Sequence, residues 1–260
     1  MRIGILSKRE TGLVEELSNF FMENGHKISI YTSENLKVNS SLFDNDLYIL
    51  KSKQLLFLYA GYFLQLNNIP IIPDPTISYI HKHRVETYFS MKKCGLNTPQ
   101  IYMGTPRSIK KDLKASDYPL IVKPLMGSGS KGIKIIKSSK DFENDLNKIL
   151  YFEKFIKGIH YLAYFIGDKI CVGEKQPLAN EHGKIKVIEP EKDIKNVLKI
   201  WRNAYNLLFG HLDMIRETKS NKLLVVDTGT FPEFSNWKLD NDYGTEICNL
   251  ILKRYEEIKG

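Results

Sequence analysis

The sequence predicts a protein of mixed α/β and α+β class, in which an N-terminal parallel layer precedes two α+β subdomains. Three observations support this prediction. Strand-like and helix-like segments alternate over residues 2–73, which is typical of a parallel sheet. A glycine-rich loop then lies between two strand-like segments, and several antiparallel strands are expected after it. We therefore divide the chain into segments 1–78, 79–157 and 158–260.

Short apolar runs in the first segment predict buried strands at residues 2–7, 27–32, 46–50 and 70–73. Apolar positions recur at helical spacing from Leu13 to Phe21, and Gly25 is expected to end this helix. Residues 54–67 predict a second, strongly apolar helix. That apolar stretch is too short to span a bilayer, so no membrane partner is expected.

One helix is predicted over residues 74–95, across the boundary between the first and middle segments, with Thr76 as its N-cap. An amphipathic helix is expected over residues 141–150. Strands are expected at residues 100–103, 118–124, 133–136 and 151–156.

The last segment begins with a predicted hairpin whose two-residue turn is Gly167-Asp168. Two further antiparallel strands carry Asp213 and Asp227, with a polar turn at residues 219–222 between them. Helices are expected at residues 193–208 and 243–258.

Composition limits the classes of partner. The chain has 260 residues and a formal net charge of +8, which favours anionic small molecules or peptides. Nucleic acid is disfavoured, because the positive charge is neither gathered in a tail nor interleaved with aromatic residues. Three widely separated cysteines and the absence of a secretory leader predict a reducing, cytoplasmic location. The composition is compatible with a homo-oligomer.

Asp213 and Asp227 form the first candidate site. On adjacent antiparallel strands they would lie side by side, and like charges that close raise each other's pKa unless a cation lies between them. The pair therefore predicts a divalent metal site with oxygen ligands, against the alternative of two unrelated aspartates at strand ends. His211 is expected to face the opposite side of its strand and is not counted as a ligand.

The second candidate site is the glycine-rich loop that follows Lys123. Its backbone N–H groups could approach phosphate oxygens closely, although a flexible hairpin is the alternative. A strand rather than a helix follows, so the loop differs from the strand–loop–helix phosphate motif. The residues of this loop that we assign to the site are Gly127, Ser128, Gly129, Ser130, Lys131 and Gly132.

Five motifs, taken in order, resemble those of the ATP-grasp superfamily over essentially the whole chain. They are Val122-Lys-Pro124, Gly127-Ser-Gly-Ser-Lys-Gly132, Phe152-Glu-Lys-Phe-Ile156, Phe209-Gly-His-Leu-Asp213 and Val226-Asp-Thr-Gly-Thr-Phe-Pro232. The nearest subgroups are the RimK-like carboxylate–amine ligases and the inositol polyphosphate kinases of the same fold. The resemblance implies an ATP-grasp fold whose two α+β subdomains clamp ATP.

The resemblance also implies roles for individual residues. Lys123 and Arg84 would contact the ATP phosphates, residues 127–132 would cover them, and Asp213 and Asp227 would bind Mg²⁺. The hinge strand, whose backbone would read the adenine edge, comprises Glu153, Lys154, Phe155 and Ile156.

Two departures from the family pattern fall near the transferred phosphate. Gly229 stands where the family usually has an asparagine ligand, and Leu162 stands where it usually has a basic residue. Thr228, Thr230, Glu233 or water could replace the asparagine, or only one metal could be held. His160, Lys175 or Gln176 could take the place of the missing basic residue, and Lys131 could reach the γ-phosphate. For Lys175 and Lys131 the alternative is a solvated lysine without a role in the site. We therefore take Lys175 and Lys131 as catalytic candidates and His160 as a nucleotide-binding candidate.

Three functions follow from the resemblance. The first is an ATP-dependent carboxylate–amine ligase that acts through an acyl phosphate on a small-molecule or peptide carboxylate. The second is a small-molecule kinase of the inositol-phosphate type, which the net charge favours. The third is a nucleotide-binding protein with little catalysis, which the two departures favour.

Overall fold

The architecture consists of three sheets with helices packed between and around them. A computed structural model of the chain describes residues 1–127, 132–142, 149–175, 185–240 and 242–260. One sheet is parallel and the other two are antiparallel, which confirms the predicted fold class. The strands of each sheet fall within one of the three segments inferred from sequence, although the segment boundaries themselves stay a prediction.

The N-terminal layer is a four-stranded parallel sheet of order β2-β1-β3-β4. Its strands are β1 (Arg2–Leu6), β2 (Lys27–Tyr31), β3 (Leu47–Leu50) and β4 (Ile71–Ile72). Helices α1 (Gly12–Glu23) and α2 (Leu55–Leu66) connect them, as predicted. Because the strands are parallel, the loops after β1 and β3 leave the same edge of the sheet, and this edge faces the candidate site.

The predicted single helix over residues 74–95 is wrong, because two helices form instead. They are α3 (Pro75–Ile80) and α4 (Arg84–Lys93). Thr76 is also not the N-cap. The carboxylate of Asp74 accepts hydrogen bonds from the N–H groups of Thr76 and Ile77, at 2.7 and 3.0 Å, and so satisfies two free donors of the first turn.

The middle sheet is antiparallel and has the order β5-β8-β6-β7. Its strands are β5 (Ile101–Gly104), β6 (Leu120–Lys123), β7 (Lys134–Ile136) and β8 (Leu150–Lys154). Helix α5 (Pro106–Asp112) was not predicted, although Thr105 as N-cap and Pro106 after it form a typical helix start. Residues 143–148 of the predicted helix lie outside the described residues, and Leu150 belongs to β8 rather than to a helix.

The third sheet is antiparallel and has the order β11-β10-β9-β12-β13. Its strands are β9 (Gly158–Ile166), β10 (Lys169–Lys175), β11 (Lys186–Ile188), β12 (Phe209–Glu217) and β13 (Leu223–Gly229). The hairpin turn at Gly167-Asp168 is confirmed, whereas β11 was not predicted. Helices α6 (Lys192–Ala204) and α7 (Tyr243–Lys259) complete the chain.

The two faces of the third sheet belong to different cores, because successive side chains of a strand point to opposite faces. Tyr161, Ala163 and Phe165 of β9 pack in a core with Leu198 and Trp201 of α6. The intervening residues Leu162, Tyr164 and Ile166 pack in a second core with residues of α1, α7 and the parallel sheet. In the described part of the chain, no helix is long and apolar enough to cross a membrane.

Candidate functional site

The paired aspartates lie at the centre of the site. Asp213 of β12 and Asp227 of β13 are direct cross-strand partners, and a register shift follows immediately after Asp213. The sequence pattern therefore predicted their juxtaposition correctly, and their role as metal ligands stays a prediction. Among the described residues, no group of three or more His, Cys, Asp or Glu side chains could hold a metal ion. A cation at this pair would need ligands from elsewhere.

Each aspartate is ion-paired with a different cation. Arg84 Nη1 lies 3.1 Å from Asp227 Oδ2, and Lys175 Nζ lies 2.7 Å from Asp213 Oδ1. Burial alone would raise the pKa of the Asp227 carboxyl, but the charges of Arg84, Lys123 and Lys53 outweigh it. They hold that pKa well below its usual range, so Asp227 is ionised and able to bind a cation.

Lys123 joins the middle sheet to the strand that carries Asp227. Its Nζ lies 2.6 Å from Glu153 Oε2 in a buried ion pair, and it also donates to the carbonyl of Val226 at 3.2 Å. The side chains of Lys123 and Glu153 are only 7% and 6% exposed. Lys123 is therefore held against Val226, the residue that precedes the predicted metal ligand Asp227.

The glycine-rich loop is described only at its two ends. Gly132 has φ +75°, in the left-handed region that favours glycine, and a Cβ there would lie 3.0 Å from Pro124 Cγ. Gly127 is the described residue at the other end of the loop. Ser128, Gly129, Ser130 and Lys131 lie outside the described residues, so their predicted roles stay predictions.

Arg84 is tied to the entrance of this loop. Its backbone N–H donates to Leu125 O at 2.9 Å, and His83 forms an isolated bridge with Met126. The Arg84 side chain is buried, and its Nε has no hydrogen-bond partner among the described residues. The guanidinium therefore keeps a free donor close to both the loop and Asp227.

The predicted hinge lies at the end of β8. The N–H groups of Lys154 and Phe155 donate to the carbonyls of Gln100 and Pro119, at 2.8 and 3.1 Å. The Ile156 N–H has no such acceptor in the part of the chain that the structure describes. Glu153 points its carboxylate at Lys123, so only the backbone of this residue is available to read a base.

Sequence reasoning missed two lysines from the N-terminal layer. Lys51 and Lys53 follow β3, and they enter the site from the edge of the parallel sheet. Lys51 Nζ donates to Phe231 O, Pro232 O and Glu233 Oε1, at 3.1, 3.3 and 2.8 Å. This contact fixes the segment after Asp227 against the N-terminal layer. No local signal marks these lysines, because they stand in an ordinary polar loop.

The positive charge of Lys53 is compensated by nearby carboxylates to a smaller extent than that of Lys51. Its Nζ donates to the carbonyl of His81 at 3.2 Å. Burial lowers the pKa of Lys53 to about 8, and Asp227 opposes this shift while Lys82, Arg84 and Lys51 add to it. Cations thus outnumber carboxylates around the site. The cations are Lys51, Lys53, Lys82, Arg84, Lys123 and Lys175, and the carboxylates are Glu153, Asp213, Asp227 and Glu233.

The expected orientation of His211 is wrong. Residues two apart on a strand share a face, so His211 lies on the same face as Asp213. It is the cross-strand partner of Gly229, one row along from the aspartate pair. Burial lowers the pKa of His211 to about 4, which leaves the ring neutral near pH 7.

The other departure, Leu162, lies on the same face. It is the cross-strand partner of Asp213 on β9 and is 6% exposed. His160, also on β9, is the cross-strand partner of Lys175, and burial followed by the Lys175 charge lowers its pKa. The position next to Asp213 thus holds an apolar side chain, and the cation reaches Asp213 from β10.

Comparison with known proteins agrees with this geometry. A family model described as an ATP-grasp domain matches residues 82–187, which include Arg84, Lys123 and the glycine-rich loop. A RimK domain ATP-grasp protein from Sphaerobacter thermophilus aligns with a TM-score of 0.79 at 12% identity, covering 97% of this chain and 100% of that one. The chain has the ATP-grasp fold. The resemblance of its motifs to the ATP-grasp superfamily is thereby confirmed.

Two ligases with solved structures share this ATP-grasp fold. The D-alanine–D-alanine ligase of Bacillus anthracis, complexed with ATP, has a TM-score of 0.71 at 18% identity, over 99% of each chain. A Chryseobacterium gregarium RiPP-associated ATP-grasp ligase, in complex with ADP and a leader and core peptide, has a TM-score of 0.70 at 13% identity, over 97% of each chain. Among curated proteins, none matches this sequence.

Proposed function

We propose that this chain is an ATP-dependent carboxylate–amine ligase that acts on a small-molecule or peptide carboxylate. One observation carries the proposal. Lys123, Arg84 and the paired Asp213 and Asp227 come from separate parts of the chain and meet at one place. The arrangement suits a nucleoside triphosphate with a divalent cation, because the basic groups can bind phosphate oxygens while the carboxylates bind the metal.

ATP would lie between the middle and third sheets. Lys123 and Arg84 would contact the phosphates, and residues 127–132 would cover them. The hinge after β8 would hold the adenine, with the Ile156 N–H as a donor that no described residue engages. We also propose segments 1–78, 79–157 and 158–260 as the three parts of this layout, in which the N-terminal layer helps to bind the second substrate.

The residues present fit one Mg²⁺ ion. Mg²⁺ is usually held by one or two carboxylates together with phosphate oxygens and water, and Asp213 and Asp227 supply two carboxylates side by side. When bound, the ion would offset phosphate charge during transfer. The ion pair that Asp227 makes with Arg84 would then be exchanged for contacts with metal and phosphate, while Lys175 would stay beside Asp213.

The reaction would proceed in two steps. The γ-phosphoryl group of ATP passes to a carboxylate oxygen of the substrate, and ADP leaves. An amine nitrogen then attacks the acyl carbon, so that a C–N bond forms, the C–O bond to phosphate breaks and the nitrogen loses a proton. The protein would supply orientation and positive charge, chiefly from Lys175 beside Asp213 and from Lys131 in the loop.

The comparisons support the class of reaction. The relatives of the same fold include a ligase of two small amino acids and a ligase solved with a peptide. The excess of cations, with Lys53 at the edge of the N-terminal layer, supports an anionic group on the second substrate. Both features agree with a carboxylate-bearing small molecule or peptide as partner.

The proposal is tested by incubating the protein with Mg²⁺-ATP and a panel of carboxylic acids and amines. We expect ADP and phosphate release that depends on the acid, and an amide product visible by mass spectrometry. Hydroxylamine should trap the acyl phosphate as a hydroxamate without any amine. Asp227→Asn is the matched control, because it removes one proposed metal ligand and should abolish all three signals.

A kinase of the inositol-phosphate type is the second candidate, and the excess of cations around the site favours it. Its substrate would carry several phosphates, so its KM should rise steeply with ionic strength. The γ-phosphoryl group appearing on a hydroxyl group, with no hydroxamate formed, would establish the kinase and exclude the ligase. Thermal stabilisation by ATP without any ADP formation would instead indicate a nucleotide-binding protein with little catalysis.

A further inference from the structure

The row next to the aspartate pair has an unusual composition. His211 and Gly229 are direct cross-strand partners, as are Asp213 and Asp227 two residues further along each strand. The four positions therefore form a rectangle on one face of the sheet. One of its sides carries two carboxylates, and the other carries an imidazole and no side chain at all.

The His211 ring in its present position and a side chain at position 229 cannot both be accommodated. A Cβ added at Gly229 would lie 2.1 Å from His211 Cε1 and 2.6 Å from His211 Nδ1. Real carbon atoms do not approach so closely, so a side chain at position 229 requires the ring to leave. The His211 ring thus fills the volume that a side chain at position 229 would use.

This row offers a divalent cation no side-chain oxygen, the ligand type that Mg²⁺ prefers. Gly229 has no side-chain donor. Nδ1 of His211, the ring nitrogen that lies against Gly229, is buried and has no hydrogen-bond partner among the described residues. The described residues also contain no group of three or more His, Cys, Asp or Glu side chains that could hold a metal.

The charge of Lys175 also disfavours a second cation at the aspartate pair. The Lys175 ammonium lies 2.7 Å from Asp213 Oδ1, so one of the two carboxylates already has a cation supplied by the protein. Leu162, the neighbour of Asp213 on the other side, has no donor to add. Two divalent ions at this pair would meet both a shortage of ligands and repulsion from Lys175.

We propose that the site holds a single divalent cation with its nucleotide, and that Lys175, rather than a second divalent ion, supplies the positive charge beside Asp213. The His211 ring occupies the space in which a side chain at position 229 could have bound a second ion. The inference rests on the proposed function, since it concerns the same nucleotide site.

The test is a titration with Mn²⁺, in which electron paramagnetic resonance measures the free ion in the presence of a non-hydrolysable ATP analogue. We expect one Mn²⁺ per protein–nucleotide complex. The exchange variant His211→Ala with Gly229→Asn removes the ring and adds a ligand, and when it is combined with Lys175→Met, which removes the opposing charge, it should bind two. Two ions in the unmodified protein would overturn the inference, and so would one ion in a combined variant that folds and binds nucleotide.

A matched control pair lies outside the site. Gly25 and His26 follow α1, and a Cβ at Gly25 meets nothing within 4 Å. Its φ of +78° lies in the left-handed region, which asparagine adopts more readily than most side chains. Gly25→Asn with His26→Ala, also combined with Lys175→Met, makes the same chemical changes and should leave the count at one. If the control pair also bound two ions, the exchange at positions 211 and 229 would not be the cause and the assignment would fail.

A second variant covers the case in which the exchange variant does not fold. Lys175→Met removes the cation beside Asp213, so we expect Mn²⁺ to bind more tightly by about tenfold. Unchanged affinity would overturn the role given to Lys175. Titrations with Mn²⁺ alone and with nucleotide alone separate the two proposals. Failure to bind nucleotide counts against the ligase, whereas more than one Mn²⁺ site without nucleotide counts against the single cation.

Discussion

Replacing Lys123 by Met tests the centre of the site most directly. Methionine keeps most of the length of the lysine side chain but removes its charge and its donors. Glu153, whose side chain is 6% exposed, would then keep a buried carboxylate without its partner at 2.6 Å. Breaking a buried ion pair by removing one partner costs roughly 3–5 kcal/mol. For a chain of this size we expect the midpoint of thermal unfolding to fall by about 6–20 °C.

Two further variants separate stability from function. Glu153→Gln alone leaves Lys123 as the unpaired charge and should destabilise the protein by a similar amount. The double variant Lys123→Met with Glu153→Gln removes both charges, so most of the lost stability should return. The three variants form a double-mutant cycle, and we expect a coupling free energy of about 1–3 kcal/mol in urea unfolding.

The assay for function is the stabilisation that ATP gives to each variant. At a nucleotide concentration near 100 times Kd, binding stabilises the native state by about 2.7 kcal/mol, and each tenfold loss of affinity removes about 1.4 kcal/mol. Glu153→Gln keeps the lysine and should still respond to ATP. The double variant should respond little. A double variant that responds to ATP as fully as the unmodified protein would refute the assignment of Lys123 to the phosphates.

The remaining predictions concern charges around the same site. Lys51→Met should destabilise the protein by about 1–3 kcal/mol in urea unfolding, because two carbonyls and the half-exposed Glu233 lose their shared donor. The pKa of His211 is about 4 in the folded state against 6.5 in the unfolded state, so the unfolded chain binds more protons between these values. Stability should therefore fall by up to about 3 kcal/mol as pH drops from 6.5 to 4, and His211→Asn should remove most of that loss. The pKa of Lys53 is about 8 in the folded state against 10.5 in the unfolded state, so the unfolded chain binds more protons between these values. The free energy of unfolding should therefore rise by up to about 3 kcal/mol as pH increases from 8 to 10.5, and Lys53→Met should not show this rise.

Signals that are local in sequence predicted one part of the site well. The apolar runs that end at Asp213 and Asp227, with a polar turn between them, determine both the pairing and its register. The lysine at the end of β6 and the glycines after it are likewise neighbours along the chain. A glycine such as Gly132 is informative because its backbone conformation, with φ +75°, is strained for other residues.

The missed features depend on contacts between distant residues. Lys51 meets the segment at residues 231–233 across about 180 positions of sequence, and Lys53 meets His81 across the boundary of the N-terminal layer. Neither lysine differs in its local pattern from a solvated surface lysine. The break between α3 and α4 was missed for a related reason, since the bridge from His83 to Met126 forms only in the folded chain.

The two departures from the family pattern become one feature when their positions on the sheet are compared. Leu162 and Asp227 flank Asp213 on either side, while Gly229 lies opposite His211 in the next row. A basic residue at position 162 would have placed its charge directly beside Asp213. Here that charge comes from Lys175, two residues beyond the cross-strand partner of Leu162 on β10, and it reaches the same carboxylate. Because the charge is moved rather than lost, Leu162 does not by itself imply loss of catalysis. Gly229 is different, since the ring that replaces its side chain leaves its nearer nitrogen buried and unpaired, and so the change at position 229 alters the number of ligands.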